Sequence, residues 1–242
     1  MKAQIRNVSV VPEGDGVEVK RLFPVIGFMN VDPFVLWDHF DIGSGHGFPD
    51  HPHRGFEAIT YMFDGGMNHK DNLGNESFVS AGGAQRFTAG IGLVHSEMPA
   101  DSGKSNGIQL WINLPKKLKK INPSYQQVNA DEFPVNEFYG GQAKIIVGEG
   151  SPLKLNTDVI YQHVNLQDAA SYKVELKPKM RGLVYVMQGS LSINNQPVKS
   201  DQACFIEDVQ SLEFTSNGQA EFMICFGQPS GEEIYQHGPF VD

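Results

Sequence analysis

HPHRGFE at residues 51–57 and GLVHSEMP at residues 92–99 are the two stretches of this sequence that decide its fold. Each carries two side chains able to bind a metal ion, with one residue between them. Successive side chains of a β-strand point to opposite faces, so residues two positions apart share a face. If both stretches are strands, each pair lies on one face. The pairs are His51 with His53 and His95 with Glu97.

Two such pairs on facing strands would bring together three imidazoles and one carboxylate. That set of donors suits Fe, Mn, Ni, Cu or Zn. A single His-x-His or His-x-Glu pair is also typical of a solvated or hydrogen-bonded strand face. Because both pairs stand in glycine-rich sequence of strand character, we predict that they form one metal site.

Composition limits the classes of partner. The chain has 242 residues, enough for one large or two small domains. It contains 19 Lys and Arg against 28 Asp and Glu, and the resulting net charge of −9 disfavours nucleic-acid binding. No apolar run reaches the length of a membrane span, and the N-terminus lacks the apolar core of a signal peptide. We expect a cytoplasmic protein with neither nucleic acid nor membrane as a partner.

The two cysteines give no metal spacing and no disulfide framework. Cys204 and Cys225 each stand within an apolar run. They are predicted to be buried, unreactive thiols in a reducing compartment.

Glycine (26 residues) and proline (14 residues) are frequent and apolar runs are short, which is typical of many strands joined by turns. Strands are predicted at 8–11, 17–19, 34–41, 56–63 and 108–114, and again at 143–147, 161–164, 172–176, 183–187, 191–193, 203–206, 212–215 and 222–226. Residues 115–140 carry lysines, prolines and few periodic apolar residues, and are predicted to be a linker. The class is all-β, with domains at residues 1–131 and 132–242.

The second half echoes the first. LVYVMQG at residues 183–189 resembles AITYMFDG at residues 58–65, since each is a buried strand that ends in a glycine turn. The similarity suggests two related barrels. No histidine lies between His163 and His237, so the second barrel is not expected to offer a histidine-rich metal site.

The first stretch resembles the first cupin motif, which is a glycine, a His-x-His pair, a glutamate and a glycine turn. The matching residues are Gly45, His51, His53, Glu57 and Gly65, the last of them one position late. The second cupin motif is matched less fully, because His95 is correctly placed after Gly92 but Gly90 stands where proline is usual.

Within the cupins, the finer resemblance is to the pirin family. It rests on both opening stretches, on DHFD at 38–41, on QLWINLP at 109–115 and on QHGPFV at 236–241. The resemblance implies a bicupin: two stacked cupin β-barrels of the jelly-roll type, with a metal ion in the N-terminal barrel alone.

The resemblance gives the metal ligands as His51, His53, His95 and Glu97, the same four residues that the spacing selects. The general cupin pattern offers Glu57 in place of Glu97. The pirin pattern favours Glu97, and Glu57 is then expected to share the face of His53 and to orient a ligand imidazole. The alternative for Glu57 is a strand carboxylate paired with Arg54 or Arg86.

Several pirin-family members are associated with quercetin 2,3-dioxygenase activity, and the resemblance implies that activity here. The expected cofactor is one divalent metal ion, Fe(II), with Mn, Ni, Cu, Co or Zn as alternatives. The expected substrates are a small planar phenolic compound, a flavonol such as quercetin, and O2, with release of carbon monoxide. Glu97 is the candidate catalytic base for the proton of the flavonol 3-hydroxyl.

Two other functions stay open. Eukaryotic pirins are known as transcriptional cofactors whose iron redox state changes partner binding, so a non-enzymatic, redox-responsive iron protein with a protein partner is one alternative. An oxygenase with a different substrate is the other. The basic run at residues 116–120 is interpreted as a solvated loop or helix end, or as a docking patch for an acidic partner. A monomer is expected.

Two features depart from the family pattern. Many pirins extend beyond the GPFV segment into a helical tail, whereas this chain stops at Asp242. Arg86 stands where an aromatic residue is common, which predicts a more polar pocket wall. His39 and His46 are candidates for the pocket mouth. Candidates for its apolar walls are Phe40, Phe48, Phe56 and Phe87.

Overall fold

A computed structural model of the chain describes residues 2–43, 45–100 and 104–242. The chain divides into two compact units. The N-terminal barrel comprises residues 9–132 and 230–242, and the C-terminal barrel comprises the residues up to Val8 together with residues 133–229. Each terminal segment therefore belongs to the barrel built mainly from the other half of the chain. The predicted division into residues 1–131 and 132–242 contains no such exchange.

The described residues form 24 strands and one short 3-10 turn at Lys116–Leu118. The strands are β1 (Lys2–Asn7), β2 (Ser9–Glu13), β3 (Val17–Phe23), β4 (Phe34–Ile42), β5 (Phe48–His53), β6 (Phe56–Asp64), β7 (Gly66–Asp71), β8 (Glu76–Ser80), β9 (Ala84–Thr88), β10 (Leu93–Pro99), β11 (Ser105–Asn113), β12 (Ser124–Val128), β13 (Val135–Phe138), β14 (Gly141–Val147), β15 (Val159–Leu166), β16 (Ser171–Glu175), β17 (Arg181–Gln188), β18 (Ser190–Ile193), β19 (Gln196–Lys199), β20 (Gln202–Glu207), β21 (Ser211–Ser216), β22 (Ala220–Gly227), β23 (Gln236–His237) and β24 (Phe240–Val241).

The N-terminal barrel consists of two main antiparallel sheets. The seven-stranded sheet has the order β12-β9-β6-β11-β4-β3-β2, and the four-stranded sheet has the order β5-β10-β7-β8. A small two-stranded sheet of β23 and β24 adds the C-terminal segment to this unit. Side chains from both main sheets meet in two apolar clusters inside the barrel.

A row of polar side chains crosses the seven-stranded sheet between those two apolar clusters. Five neighbouring strands contribute one residue each, paired in register; they are Gln85, Thr60, Gln109, Asp38 and Arg21. Paired residues on adjacent strands point to the same face of a sheet, so these side chains share one face. We call this set the polar row.

Apolar residues flank the polar row on both sides, because side chains two positions apart on each strand share its face. On one side lie Phe87, Ala58, Trp111 and Leu36. On the other side lie Met62, Phe40 and Val19. On this sheet the polar row therefore lies between two apolar layers of the barrel interior.

The C-terminal barrel has the same two kinds of sheet, with orders β1-β20-β17-β22-β15-β14-β13 and β16-β21-β18-β19. Apolar pairs occupy the centre of its larger sheet: Val184 pairs with Ile224 and Cys204, and Val186 pairs with Phe222. All five belong to one continuous core cluster that both sheets supply. The same row continues from Ile224 to Gln162 on β15, an uncharged polar residue that accepts a hydrogen bond from Tyr172 at 3.0 Å.

The prediction that both thiols are buried is confirmed, since Cys204 and Cys225 are free and buried. Burial raises the pKa of the Cys204 thiol to about 11, and it raises the pKa of Cys225 well above its ordinary value. Such thiols are poor nucleophiles at neutral pH, because the thiolate is the reactive form.

The all-β bicupin class is confirmed, and the predicted strands all appear with small shifts at their ends. The predicted linker at residues 115–140 is wrong, because it contains β12 and β13. Each of these short strands is the edge of a seven-stranded sheet, and because β12 buries one side chain and β13 buries none, they carry little apolar periodicity. No helix in the described part of the chain is long and apolar enough to cross a membrane.

Candidate metal centre

Three predicted ligands converge on the four-stranded sheet of the N-terminal barrel. His51 and His53 lie on β5, and His95 lies opposite His51 on β10. One ligand nitrogen from each of the three side chains lies within 4.8 Å of the other two. This cluster of three imidazoles could hold a metal ion. The spacing argument predicted this part of the site from sequence.

Backbone carbonyls fix the orientation of two of these imidazoles. Nδ1 of His51 lies 2.8 Å from the carbonyl oxygen of Pro49, and Nδ1 of His53 lies 3.3 Å from that of Pro239. A carbonyl only accepts, so each Nδ1 carries the proton and donates it. The Nε2 lone pair of each ring is then left available to a metal ion, an arrangement common among histidine ligands.

The third imidazole shows that the cluster fits a cation. Nε2 of His95 lies 3.2 Å from Nε2 of His51, whose lone pair is exposed by its Nδ1 hydrogen bond. Nδ1 of His95 is buried and has no hydrogen-bond partner. Two imidazole nitrogens that bind one metal ion, each at about 2.1 Å, lie roughly 3 Å apart, so the separation of these two Nε2 atoms fits a shared ion. A set of three imidazoles suits a first-row divalent metal.

Aromatic side chains desolvate the cluster. The His53 ring stacks on Phe87 at 5.3 Å between centroids and contacts Phe56 and Trp111 at 5.1 and 4.9 Å. Burial, followed by the neighbouring histidines, lowers the pKa of His53 to about 2, and the same causes lower the pKa of His95 well below its ordinary value. Both rings are therefore neutral near pH 7, the protonation state that metal ligation requires.

Glu97, the predicted fourth ligand, is buried on β10 and is held by neutral donors from the polar row. Its Oε1 accepts hydrogen bonds from Thr60 at 2.6 Å and from Gln85 at 2.5 Å, and its Oε2 accepts one from Gln109 at 2.7 Å. The Tyr125 hydroxyl donates to Gln85 at 2.9 Å and so orients that amide. The carboxylate is not a member of the three-histidine cluster. Its roles as ligand and base stay predictions.

Glu57 does not lie where its spacing from His53 predicts. Its carboxylate accepts a hydrogen bond from Thr88 at 2.8 Å and lies near Arg86. It alternates along β6 with Ala58, which faces the interior, so it points to the other face. The alternation of faces does not continue from His53 to Glu57, because the chain turns at Gly55. This residue lies between β5 and β6 and has a φ of +85°. The prediction that Glu57 orients a ligand imidazole is therefore wrong.

Arg86 shares that outward-facing environment. It donates to Thr88 at 2.9 Å and to Ser124 at 2.7 Å, and it does not line the cavity described below. The predicted polar pocket wall at Arg86 is therefore wrong. Of the alternatives stated for Glu57, the pairing with Arg86 agrees better with the structure.

The C-terminal segment supplies the carbonyl that orients His53, and several contacts anchor it. Arg54 forms a bidentate ion pair with Asp242 at 3.1 and 3.0 Å. The Lys119 ammonium group donates to the backbone carbonyls of Gly55 and Val241 at 2.9 and 2.8 Å. Gly55 admits this approach, since a Cβ there would meet the Val241 oxygen at 1.8 Å. Lys119 thus joins two chain segments, a role not predicted for the basic run.

A cavity of about 580 Å³ opens onto the cluster. Its wall includes His51, His53, Glu97, Gln109, Asp38 and Arg21 as polar groups, and Val19, Met29, Leu36, Phe40, Phe48 and Trp111 as apolar groups. A cavity of this size, with both polar and apolar groups in its wall, is typical of a small-molecule site. Phe40 and Phe48 line the cavity as predicted, whereas Phe56 and Phe87 pack in the core. His39 and His46 are not among its described lining residues.

Sequence reasoning missed the polar row. The signal was present, since Thr60 is a polar residue in the alternating series Phe56, Ala58, Thr60, Met62. Gln109 likewise stands among alternating strand residues. A polar side chain on a predicted interior face needs a buried partner, and this rule would have marked both.

Two family models match the chain. The Pirin model matches residues 16–112, and the model of the Pirin C-terminal cupin domain matches residues 161–242. A pirin-like protein of Caulobacter vibrioides is 35% identical over 241 residues, which cover 95% of this chain and 87% of that protein.

Solved structures agree with this match. A structure described as quercetin 2,3-dioxygenase from Acinetobacter baumannii has a TM-score of 0.90 and 26% identity, covering 100% of this chain and 90% of the other. A bacterial pirin from Escherichia coli, solved in complex with nickel(II), has a TM-score of 0.79 and 25% identity, covering 94% of this chain and 99% of the other.

Proposed function

Because this chain belongs to the pirin family, we propose that its N-terminal barrel binds one divalent metal ion and uses O2 to cleave a small planar phenolic compound. The proposed reaction is that of a flavonol 2,3-dioxygenase, in which the heterocycle opens and carbon monoxide is released. The observation that carries the proposal is the convergence of three imidazoles at the wall of a cavity. The likeness to a structure described as quercetin 2,3-dioxygenase supports the choice of substrate.

We propose Fe(II) as the metal ion. Three imidazoles and a carboxylate leave positions open on a metal that reaches six-coordination, which is what distinguishes a reactive site from a closed structural one. The nickel(II) complex of the related bacterial pirin supports a divalent metal here and leaves Ni, Mn, Co, Cu and Zn as alternatives.

The residues of the cavity have separate tasks in the proposed reaction. His51, His53 and His95 would hold the metal ion, which would supply the Lewis acidity that lowers the pKa of the flavonol 3-hydroxyl and the activation of the substrate toward O2. Glu97 accepts the 3-hydroxyl proton, and Thr60, Gln85 and Gln109 hold its carboxylate in position through their hydrogen bonds. Trp111, Leu36 and Phe40 hold the flat ring system and exclude water.

The test is to load the protein with Fe(II) under anaerobic conditions, add quercetin and air, and follow loss of flavonol absorbance together with carbon monoxide. We expect turnover in the wild-type protein and none in His53→Ala, which should also lose metal. His163→Ala is the matched control, because this histidine belongs to the C-terminal barrel and pairs with Glu221.

The role of Glu97 has its own test. Glu97→Gln should keep part of its metal and lose most of its turnover, because an amide cannot take the proton. Wild-type turnover in this variant would exclude Glu97 as the base. A fully loaded wild-type protein that releases no carbon monoxide would reject flavonol cleavage and favour an oxygenase with another substrate.

A further inference from the structure

We propose that Asp38 and Arg21, at one end of the polar row, form a subsite that binds hydroxyl groups of the substrate beyond the part held at the metal. The inference deepens the proposed function and rests on it, since it concerns the same cavity. It names the substrate class more narrowly: an uncharged, planar aromatic compound with hydroxyl groups on its outer ring as well as at its reacting centre.

The first support is position. Gln109, which donates to Glu97, pairs in register with Asp38, and Asp38 pairs with Arg21. Adjacent strands lie about 4.8 Å apart, so the row leads from Glu97 outward in steps of that size. Both residues line the same cavity as His51 and His53. A rigid aromatic molecule held near the histidines would extend along this row.

The second support is the ion pair itself. Arg21 donates to both carboxylate oxygens of Asp38, at 2.8 and 2.6 Å, and to Glu13 at 2.5 Å. The Asp38 side chain is only 5% exposed and the Arg21 side chain 14%. A buried ion pair is often no more stabilising than apolar residues of the same volume, because both charges must be removed from water. Its presence therefore calls for a reason other than stability.

The C-terminal barrel supplies an internal comparison. It is built on the same arrangement of sheets, and one row of paired residues across its larger sheet contains no charged side chain. The residues of this row are Ile145, Gln162, Ile224, Val184 and Cys204. The cupin barrel in this chain therefore does not need a buried ion pair in order to close. The pair is confined to the barrel that has the cavity and the three histidines.

The third support is chemical. A phenolic hydroxyl both donates and accepts, so it can donate to a carboxylate of Asp38 or Glu13 and accept from the Arg21 guanidinium. Two carboxylates neutralise the single guanidinium, and Asp15 and Asp50 add further negative charge to the cavity wall. An anionic group would be repelled there, whereas an uncharged hydroxyl would be bound. The apolar residues beside the row, Leu36 and Phe40, provide contact for the ring faces.

The experiment compares two flavonols by equilibrium binding rather than by turnover. Quercetin carries hydroxyl groups on its outer rings, and 3-hydroxyflavone has the same reacting centre without them. Binding is measured by calorimetry under anaerobic conditions with the Ni(II)-loaded protein, so that no substrate is consumed. We expect the wild-type protein to bind quercetin roughly 10- to 100-fold more tightly than 3-hydroxyflavone, as for the loss of a hydrogen bond to a charged group.

Asp38→Asn should reduce this preference to a few-fold while leaving the affinity for 3-hydroxyflavone near its wild-type value. Glu13→Gln is a milder second variant, since its side chain is 42% exposed and its replacement disturbs the fold less. The matched control is Glu221→Gln, which alters the carboxylate that pairs with His163 in the C-terminal barrel. This variant should keep the full preference for quercetin over 3-hydroxyflavone.

The outcomes separate the two proposals. A wild-type protein that binds both flavonols equally, or an Asp38→Asn variant that keeps the full preference for quercetin, overturns the subsite and leaves flavonol binding at the metal intact. A wild-type protein that takes up Ni(II) and binds neither flavonol overturns the proposed function and the subsite together. Retained binding of 3-hydroxyflavone by the variant shows that its cavity is still folded.

Discussion

Replacement of His53 by phenylalanine should make the metal-free protein less sensitive to acid. The His53 side chain is 2% exposed and is surrounded by Phe56, Phe87 and Trp111. Its pKa in the folded protein is about 2, whereas a histidine in an unfolded chain has a pKa of about 6.5. Below about pH 6.5 the unfolded state binds the proton and the folded state does not. The free energy of unfolding therefore falls as the pH decreases from about 6.5 toward about 2.

The magnitude follows from these two pKa values. Between pH 7 and pH 5, His53 alone should lower the free energy of unfolding by about 2 kcal/mol. The result hardly changes if the folded pKa is about 3 instead of about 2, because pH 5 is well above either. His95 should add to the loss in the same direction, since burial also lowers its pKa. Phenylalanine suits the aromatic surroundings and has no proton to bind.

The assay is urea denaturation at pH 7 and at pH 5 in the presence of a chelator, followed by tryptophan fluorescence. The protein has two tryptophans, and Trp37 and Trp111 both lie in the N-terminal barrel, so the signal reports this unit. We expect the loss of stability on going from pH 7 to pH 5 to be about 2 kcal/mol smaller in His53→Phe than in the wild-type protein. Replacement of the exposed His237 by glutamine is the control. Equal losses in His53→Phe and wild type would refute the reasoning.

Three further predictions concern packing and anchoring. Lys119→Met should weaken metal binding about 10-fold in a calorimetric titration, because it frees the C-terminal segment whose carbonyl orients a ligand imidazole; unchanged affinity would contradict this anchoring role. Phe222→Ala should lower the stability of the C-terminal barrel by about 3–5 kcal/mol and leave the metal content of the folded protein unchanged, as measured by denaturation and elemental analysis. Cys225 should react with a thiol reagent only on unfolding, because it is fully buried; rapid labelling of the native protein would be inconsistent with this burial.

Strong alternation or continuous apolarity made most of the fold predictable from sequence. The strand at residues 56–63 and the strand at residues 108–114 are buried on both faces, and their apolar runs stand out from the surrounding turns. Edge strands such as Ser124–Val128 bury few side chains, so their sequence resembles that of a loop. A strand can be recognised from its sequence only where its packing requires apolar residues.

Local spacing also predicted the three histidines, but it could not predict what depends on register and on turns. The relation of Glu57 to His53 was misjudged because one residue, Gly55, turns the chain and ends the count of alternate positions. The polar row depends on the pairing of strands far apart in sequence, such as Thr60 with Gln109. The polar residues themselves can be recognised in their alternating stretches, but which of them pair is set by the whole sheet.

The least visible element from sequence is the C-terminal segment, because it acts through a backbone carbonyl rather than a side chain. His53 donates to the carbonyl of Pro239. Two contacts of Arg54 hold that segment in place: an ion pair with Asp242 and a hydrogen bond that its carbonyl accepts from the Val241 amide. Removal of residues 239–242 from this chain should therefore leave every predicted ligand present and yet weaken metal binding by about 10- to 100-fold.

A second measurement, of the His53 tautomer, distinguishes this orienting role from a general loss of structure. With the segment present, His53 in the metal-free protein should carry its proton on Nδ1, and nitrogen chemical shifts of the imidazole report that tautomer directly. Without the segment, the Nδ1 proton loses its acceptor and the Nε2 tautomer should become populated, which removes the lone pair that the metal ion needs. Asp242→Asn in the untruncated chain is the matched control, because it keeps the Pro239 carbonyl and weakens only the exposed ion pair. Its effect on metal affinity should be much smaller than that of the truncation. A truncated protein in which His53 stays protonated on Nδ1 and metal affinity is unchanged would show that the C-terminal segment covers the site without orienting its ligand.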